Sequence, residues 1–231
     1  RLQVLGAYVV IIDINEAELK RCAEMEGVMT FCCDITDADQ LEATIELIAK
    51  EYAIFDVCVN CAGIAPAARI VGREGPQPLG DFERVIKVNL IGTFNMMRIL
   101  ACYMQEQDPD EKTGARGVII NTSSVAAYEG QIGQAAYSAS KGGVSAMTLP
   151  AAREFARWGI RVMTIAPGVM ETPMMAGMPE KVHESLKASV PYPSRLGYAT
   201  EYAKLVEQII ENDYLNGSVI RLDGAIRMGS T

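Results

Sequence analysis

Residues 7–34, AYVVIIDINEAELKRCAEMEGVMTFCCD, hold two unbroken apolar runs, 7–12 and 28–32, on either side of a segment with helical periodicity, 15–26. Apolar runs without polar alternation belong to strands buried on both faces, and two such strands joined by a helix make a parallel βαβ unit. The alternation continues outward. Strand-length runs recur at 55–59, 118–120, 161–165 and 218–222, and helical segments at 37–52, 79–104, 135–157 and 200–211. The pattern predicts an α/β fold with a doubly wound, mostly parallel sheet, in one domain over residues 1–231. Gly6, Gly117 and Gly159 stand at helix-to-strand junctions, where a residue free to take φ > 0 ends a helix. The polar, Gly/Pro-rich stretches 69–80 and 105–116 read as surface insertions. Pro150 should kink or interrupt the helix around it.

With 231 residues, 49% hydrophobic and 22% charged, the chain can bury a large core and leaves no room for an extended disordered tail. A net charge of -8 sets up a field that repels nucleic acid and anionic membrane, so neither is expected as a main partner. The six cysteines show no paired zinc spacing, and no metal site is expected. Several lie in strand-like runs and read as reduced core thiols, which implies a reducing compartment: the cytoplasm, or the mitochondrial matrix in a eukaryote. No apolar run approaches the ~18 residues of a membrane span, and no signal peptide is visible.

Asp13 closes the first apolar run, where a doubly wound fold places an acidic side chain to accept hydrogen bonds from an adenosine ribose. Its carboxylate would repel a 2′-phosphate, and neither Ile14 nor Asn15 offers a cation to receive one, so the pattern favours NAD. The competing reading is a loop acid capping the helix that starts near Asn15. The glycine-rich phosphate loop of such folds lies roughly 20 residues before the acid, yet only 12 residues precede Asp13. The first strand and the pyrophosphate cradle are therefore expected to be missing. Residues 1–5 would then be the tail of the first helix, with the central strand position unfilled. Cys33-Asp34-Ile35 and Asn60-Cys61-Ala62-Gly63 close the next two runs, at strand ends where open α/β sheets bind ligands. Asp34 can accept from an adenine amino group, and the small residues Cys61, Ala62 and Gly63 let backbone approach a cofactor closely.

The chemistry concentrates in residues 121–141, NTSSVAAYEGQIGQAAYSASK. Tyr137 and Lys141 are four apart on a helix and share a face. A neighbouring ammonium stabilises phenolate and so draws a tyrosine toward acid/base work. Ser124 directly follows a buried strand, where its hydroxyl can bond a substrate oxygen beside Tyr137. A bare Tyr-x-x-x-Lys is an ordinary amphipathic helix face. Here it has company.

Asn60-Cys61-Ala62-Gly63 resembles the Asn-Asn-Ala-Gly motif of short-chain dehydrogenases/reductases, with Cys61 in place of the second asparagine. Asn89 in Val88-Asn89-Leu90 resembles the family's helix asparagine, Ser124 lies thirteen residues before Tyr137 as the family serine does, and Pro167-Gly168 resembles the motif after its sixth strand. The family's Thr-Gly-x-x-x-Gly-x-Gly motif is absent at the front. The resemblance implies a Rossmann-like fold in which a tyrosinate, Tyr137, takes a hydroxyl proton as hydride passes to NAD. It implies that Lys141 lowers the tyrosine pKa and holds the nicotinamide ribose, that Ser124 positions the substrate oxygen, and that Asn89 holds a water leading from the lysine to solvent. Thr172 resembles the residue that binds the nicotinamide carboxamide, with Met170 beside it.

Residues 169–193 follow the last cofactor motif, and the resemblance implies that they fold over the substrate. Met170, Met174, Met175 and Met178, with Tyr192, would form an adaptable apolar wall suited to an acyl chain or a steroid, although methionines equally fill core gaps. His183 reads as a surface residue. The runs GVIINTSSVAAYEGQIGQAAYSASKGG, GIRVMTIAPG and LNGSVIRLDGAIRM resemble the short-chain type II 3-hydroxyacyl-CoA dehydrogenases, a group that includes 17β-hydroxysteroid dehydrogenase activity. That resemblance implies oxidation of 3-hydroxyacyl-CoA with NAD in a homo-oligomer, a tetramer. Two alternatives stay open: a 3-oxoacyl thioester reductase with the same catalytic residues, and a non-catalytic scaffold that keeps the fold without the cofactor.

Overall fold

The computed structural model describes residues 1–52, 54–172 and 180–230. After a 3-10 turn at Gln3–Leu5, strand β1 (Val9–Asp13), helix α1 (Glu16–Ala23) and β2 (Val28–Cys32) form the first βαβ unit. Helix α2 (Ala38–Glu51) leads to β3 (Val57–Asn60), and a hairpin of β4 (Val71–Gly72) and β5 (Gly75–Pro76) to α3 (Leu79–Ile86). A π-helical turn, Lys87–Gly92, joins α3 to α4 (Thr93–Glu106). Then come β6 (Gly117–Thr122), α5 (Ala135–Phe155), β7 (Ile160–Pro167), β8 (Met170–Glu171), α6 (Glu180–Ser189), β9 (Gly197–Tyr198), α7 (Ala199–Glu211) and β10 (Val219–Leu222).

The strands pair in parallel in the order β10-β7-β6-β3, with β1-β2 as a separate parallel pair. β1 and β3 share no ladder, so the expectation of an unfilled central strand position holds. Of the five leading residues, expected as the tail of a helix, Gln3–Leu5 form the 3-10 turn, which Gly6 ends at φ 93°.

Alternation along the strands divides the core. Ile119 and Val162 face one side with Leu41, Ile45 and Ile48 of α2, Met97, Leu100 and Met104 of α4, and Phe155 of α5. Val118, Ile120, Met163 and Ile165 face the other with Val206 and Ile209 of α7. Each buried Leu or Ile contributes about 1.5–3 kcal/mol, so this two-sided burial dominates the stabilisation. Val10, Ile12 and Phe31 pack on the first cluster, which ties the β1–β2 pair to the main sheet. Asn95 Nδ2 also donates to the Ile35 carbonyl at 2.8 Å. Arg161, 8% exposed, donates to the carbonyls of Ile209, Ile210 and Leu215 and so secures the end of α7 to β7.

Several expectations need correction. The helix expected at 79–104 contains the π-helical turn, and α5 runs through Pro150 without a break, the ring lying on an exposed position. The insertion at 69–80 contains the β4–β5 hairpin. Cys32, Cys61 and Cys102 are exposed and only Cys33 and Cys58 are buried; all six are free thiols. The rod of Leu79–Glu106 is long and apolar enough by composition to span a membrane, contrary to the reading of the sequence, but 56% of its most apolar window is buried inside the fold.

Candidate active site

Because every strand of the main sheet is parallel, their carboxyl ends lie along one edge. Register places Asn60 opposite Asn121 and Asn121 opposite Thr164, and just beyond this level come Cys61-Ala62-Gly63, Thr122-Ser123-Ser124 and Pro167-Gly168. Asn60 Nδ2 donates to Asn121 Oδ1 at 2.8 Å, a buried bond that aligns the ends of β3 and β6. Gly168 donates its N–H to the Leu222 carbonyl at 2.9 Å, and a Cβ there would stand 2.9 Å from Asp223 Cα. Only glycine lets these two chain segments meet so closely.

Tyr137 lies in the first turn of α5, and Lys141 follows one turn on with 4% of its surface exposed. The Lys141 Nζ donates to the Thr122 carbonyl at 2.8 Å and lies 5.8 Å from the centre of the Tyr137 ring. Ser124 caps a short 3-10 turn, Val125–Ala127, where its Oγ accepts from Ala126 N at 3.1 Å. Burial pulls the Lys141 ammonium down to about 8, against an opposing pull from Cys61. Burial also pushes the Tyr137 phenol up, and the side chain of Ser124 works the other way. The expectation that Lys141 lowers the phenol is thus not met in this arrangement. The ammonium is committed to the Thr122 carbonyl, and desolvation outweighs every other influence on the ring.

Asn89 sits in the π-helical turn and is fully buried. Its Oδ1 accepts from Ile64 N at 2.8 Å, and its Nδ2 donates to the Ile64 carbonyl at 2.9 Å and to Ser140 Oγ at 3.0 Å. Ser140, also fully buried, donates in turn to the Tyr137 carbonyl at 2.7 Å. The loop after β3, the π-helical turn and the helix carrying Tyr137 and Lys141 are therefore fastened by one amide and one hydroxyl. A Cβ at Gly63 would stand 3.2 Å from Asn89 Oδ1 and 3.5 Å from Lys141 Nζ, so this loop passes directly over the pair. Sequence reading missed Ser140. The available signal was a serine inside a helix, a type that back-bonds to the preceding turn. It also missed Ser123, 2% exposed, whose Oγ donates to the Lys141 carbonyl at 2.8 Å.

On the other side of the edge, Asp13 and Asp34 are exposed at the ends of β1 and β2. Asp13 Oδ1 accepts from Asn15 N at 2.9 Å, and it is Asn15 that caps α1, so the capping alternative for Asp13 fails. Asp34 Oδ1 accepts from Thr36 N at 2.9 Å. Ile35 is 9% exposed, with its carbonyl held by Asn95. Met170 and Thr172 are half-buried beside the β8–β9 pair, and Tyr192 is 83% exposed. Met174, Met175 and Met178 lie outside the described residues. His183 is partly exposed on α6.

A doubly wound sheet with a serine, a tyrosine and a lysine at its carboxyl edge is the architecture of an alcohol–ketone oxidoreductase. The chain belongs to the short chain dehydrogenase family, whose model matches residues 1–183. It is 51% identical to mouse (Mus musculus) 3-hydroxyacyl-CoA dehydrogenase type-2 over 99% of this chain and 88% of that protein. It is 36% identical to 3-oxoacyl-[acyl-carrier-protein] reductase of Thermotoga maritima over 96% of this chain and 88% of that one. The crystal structure of 3-hydroxyacyl-CoA dehydrogenase type-2 from Mycobacterium avium superposes with a TM-score of 0.93 at 38% identity, covering all of this chain and 90% of that one. The protein is an oxidoreductase.

Proposed function

We propose that this enzyme interconverts 3-hydroxyacyl-CoA and 3-oxoacyl-CoA, with NAD as its hydride partner. The observation that carries the reading is the grouping of Ser124, Tyr137 and Lys141 at the carboxyl edge of the parallel sheet. The residues present fit the adenosine and nicotinamide ends of a dinucleotide: exposed carboxylates at Asp13 and Asp34 remain open to hydroxyl and amino donors, and Tyr137 and Lys141 stand at the same carboxyl edge. When bound, the dinucleotide accepts or donates the hydride. Asp13 would hold the ribose hydroxyls, Asp34 and Ile35 the adenine, and Asn60, Cys61, Ala62, Gly63, Pro167, Gly168, Met170 and Thr172 the nicotinamide half.

In oxidation, Tyr137 Oη takes the substrate hydroxyl proton as the carbon gives up its hydride, and in reduction it returns that proton to the new alcohol oxygen. Ser124 Oγ holds the substrate oxygen against Tyr137. Its influence on the phenol partly offsets the upward shift caused by burial. Lys141, poised near 8, can move a proton at neutral pH. Asn89 and Ser140 keep the helix and the loop in register.

The test is turnover of acetoacetyl-CoA with NADH against NADPH. A clear NADH preference supports the proposal. Preference for NADPH favours the 3-oxoacyl thioester reductase reading, to which the Thermotoga relative is the pointer and against which Asp13 stands. Absence of NADH binding in fluorescence titration, both for this chain and for one with the glycine-rich front segment restored, would favour a scaffold. A homotetramer in a reducing compartment, cytoplasm or mitochondrial matrix, completes the proposal. The six free thiols support the compartment, the likeness of residues 215–228 to the type II group supports the assembly, and light scattering checks the latter.

A further inference from the structure

Beyond the catalytic group, a dense polar cluster joins residues that lie 92 apart in sequence. Arg221, on β10, spends its guanidinium on four acceptors: Nε donates to Asp223 Oδ2 at 2.6 Å, Nη1 to Glu129 Oε1 at 2.8 Å, and Nη2 to Glu129 Oε2 at 3.2 Å and to the Ile226 carbonyl at 3.1 Å. Its guanidinium carbon also stands 5.4 Å from the centre of the Tyr128 ring. Glu129 further accepts from Met228 N at 3.2 Å, and Arg227 reaches both Glu129 and Asp223 at 3.3 Å. Below this network Ile226, fully buried, packs with Val125 and Val190, and Ile132 N donates to the Ser230 carbonyl at 2.9 Å. The side chains of Arg221, Glu129 and Asp223 are 24%, 20% and 9% exposed, so these pairs are better shielded than ordinary surface pairs.

What the network grips is the segment that begins at Ser124 and leads into the helix of Tyr137. We infer that Glu129 is a positioning residue: held by Arg221 and the backbone of residues 226–228, it fixes the short turn Val125–Ala127 and thereby aims the Ser124 hydroxyl at Tyr137. The inference rests on the role proposed above for Ser124. Physically, Ser124 opens a turn only three residues long, closed by the Ala127 N–H on the Ser124 carbonyl at 3.0 Å and by the Glu129 N–H on the Val125 carbonyl at 2.9 Å. A two-point carboxylate–guanidinium clamp on Glu129 holds the far end of that turn through geometry that a single-point pair cannot supply.

The experiment is a double-mutant cycle between Glu129→Gln and Ser124→Ala, read as kcat and KM for acetoacetyl-CoA reduction by NADH. Glu129→Gln is expected to lower kcat about tenfold in the native background, with KM for NADH within about twofold, and to lower it less than twofold once Ser124 is alanine. The acid limb of the oxidative kcat–pH profile, where Tyr137 must have lost its proton, should also move to higher pH in Glu129→Gln, because a displaced Ser124 no longer offsets the burial of Tyr137. A purely structural role would scale activity equally in both backgrounds and leave the pH limb in place. Either of those results, or an unchanged kcat, overturns the inference while leaving the proposed reaction intact. Ser124→Ala with native turnover would instead sink the reading of Ser124, and this inference with it. If Glu129→Gln does not fold, Arg221→Lys serves in the same cycle, since lysine keeps the charge but cannot bridge both carboxylate oxygens.

Discussion

The two ends of the site are built in opposite ways. Around Tyr137 the polar groups are buried and bonded to each other: Asn89, Asn121 and Ser140 are fully buried, and Lys141 is spent on a backbone carbonyl before any ligand arrives. Around Asp13 and Asp34 the carboxylates are exposed, and each takes only one local backbone N–H in the structure. The contrast separates two tasks. Proton transfer needs groups held in place and partly desolvated, so the protein orders them in advance. Recognition of a ribose or an adenine needs acceptors still free to bond, so the protein leaves them open.

The contrast can be broken most sharply at Tyr137. Tyr137→Phe should cut turnover by roughly 10²–10⁴-fold while NADH binding, followed by fluorescence, stays near native; ordinary turnover would overturn the catalytic assignment. Next in size is Asp13→Ala, which should weaken NADH binding about tenfold and narrow its advantage over NADPH, with kcat at saturation little changed. An effect on kcat alone would mean that the open end also takes part in the chemistry.

Lys141 gives the contrast a thermodynamic edge. Its folded value near 8 lies below the ordinary 10.5, so between these values the unfolded chain binds more protons and stability rises with pH. Below pH 8 the protein carries the full cost of a buried ammonium. Lys141→Met should therefore raise the thermal midpoint at pH 7 by a few degrees while turnover collapses, and the gain should shrink as pH approaches 10. A midpoint below native at pH 7 would show that the bond to the Thr122 carbonyl outweighs the burial cost. The smallest effect belongs to Arg98 of α4, which pairs with Glu42 of α2 at 2.7 Å on an exposed surface, away from both ends. Arg98→Met should cost under about 1 kcal/mol in chemical denaturation, and a larger loss would mean that this exposed pair carries stability beyond an ordinary surface ion pair.

The layered architecture was legible because burial on both faces writes continuous apolar runs such as those of β6 and β7, and the parallel pairing follows from helices between them. Ser124, Tyr137, Lys141 and Asn89 were found by spacing and by family likeness. The structure brings Ser124 against Tyr137, sets Lys141 one turn further along the same helix, and ties Asn89 to that helix through Ser140. What stayed hidden was tertiary. The pairing of Glu129 with Arg221 has no local signature across 92 residues, and the upward push on the Tyr137 phenol comes from desolvation, which spacing along a helix does not report. The two-residue strands β8 and β9 are too short to show alternation, and α6 lacks a continuous apolar stripe.

The wide turn at Lys87–Gly92 carries a consequence for anyone shortening this protein. Deleting one residue there would let the rod from Leu79 to Glu106 wind as an uninterrupted α-helix, with its two flanks close to their present phase, because the wide turn already absorbs the extra residue. Val85 and the row of Met97, Leu100 and Met104 would keep their seats in the core, while the asparagine amide would swing off Ile64. The irregularity thus lets a single rod satisfy a hydrophobic interior along most of its length and a polar junction at one point.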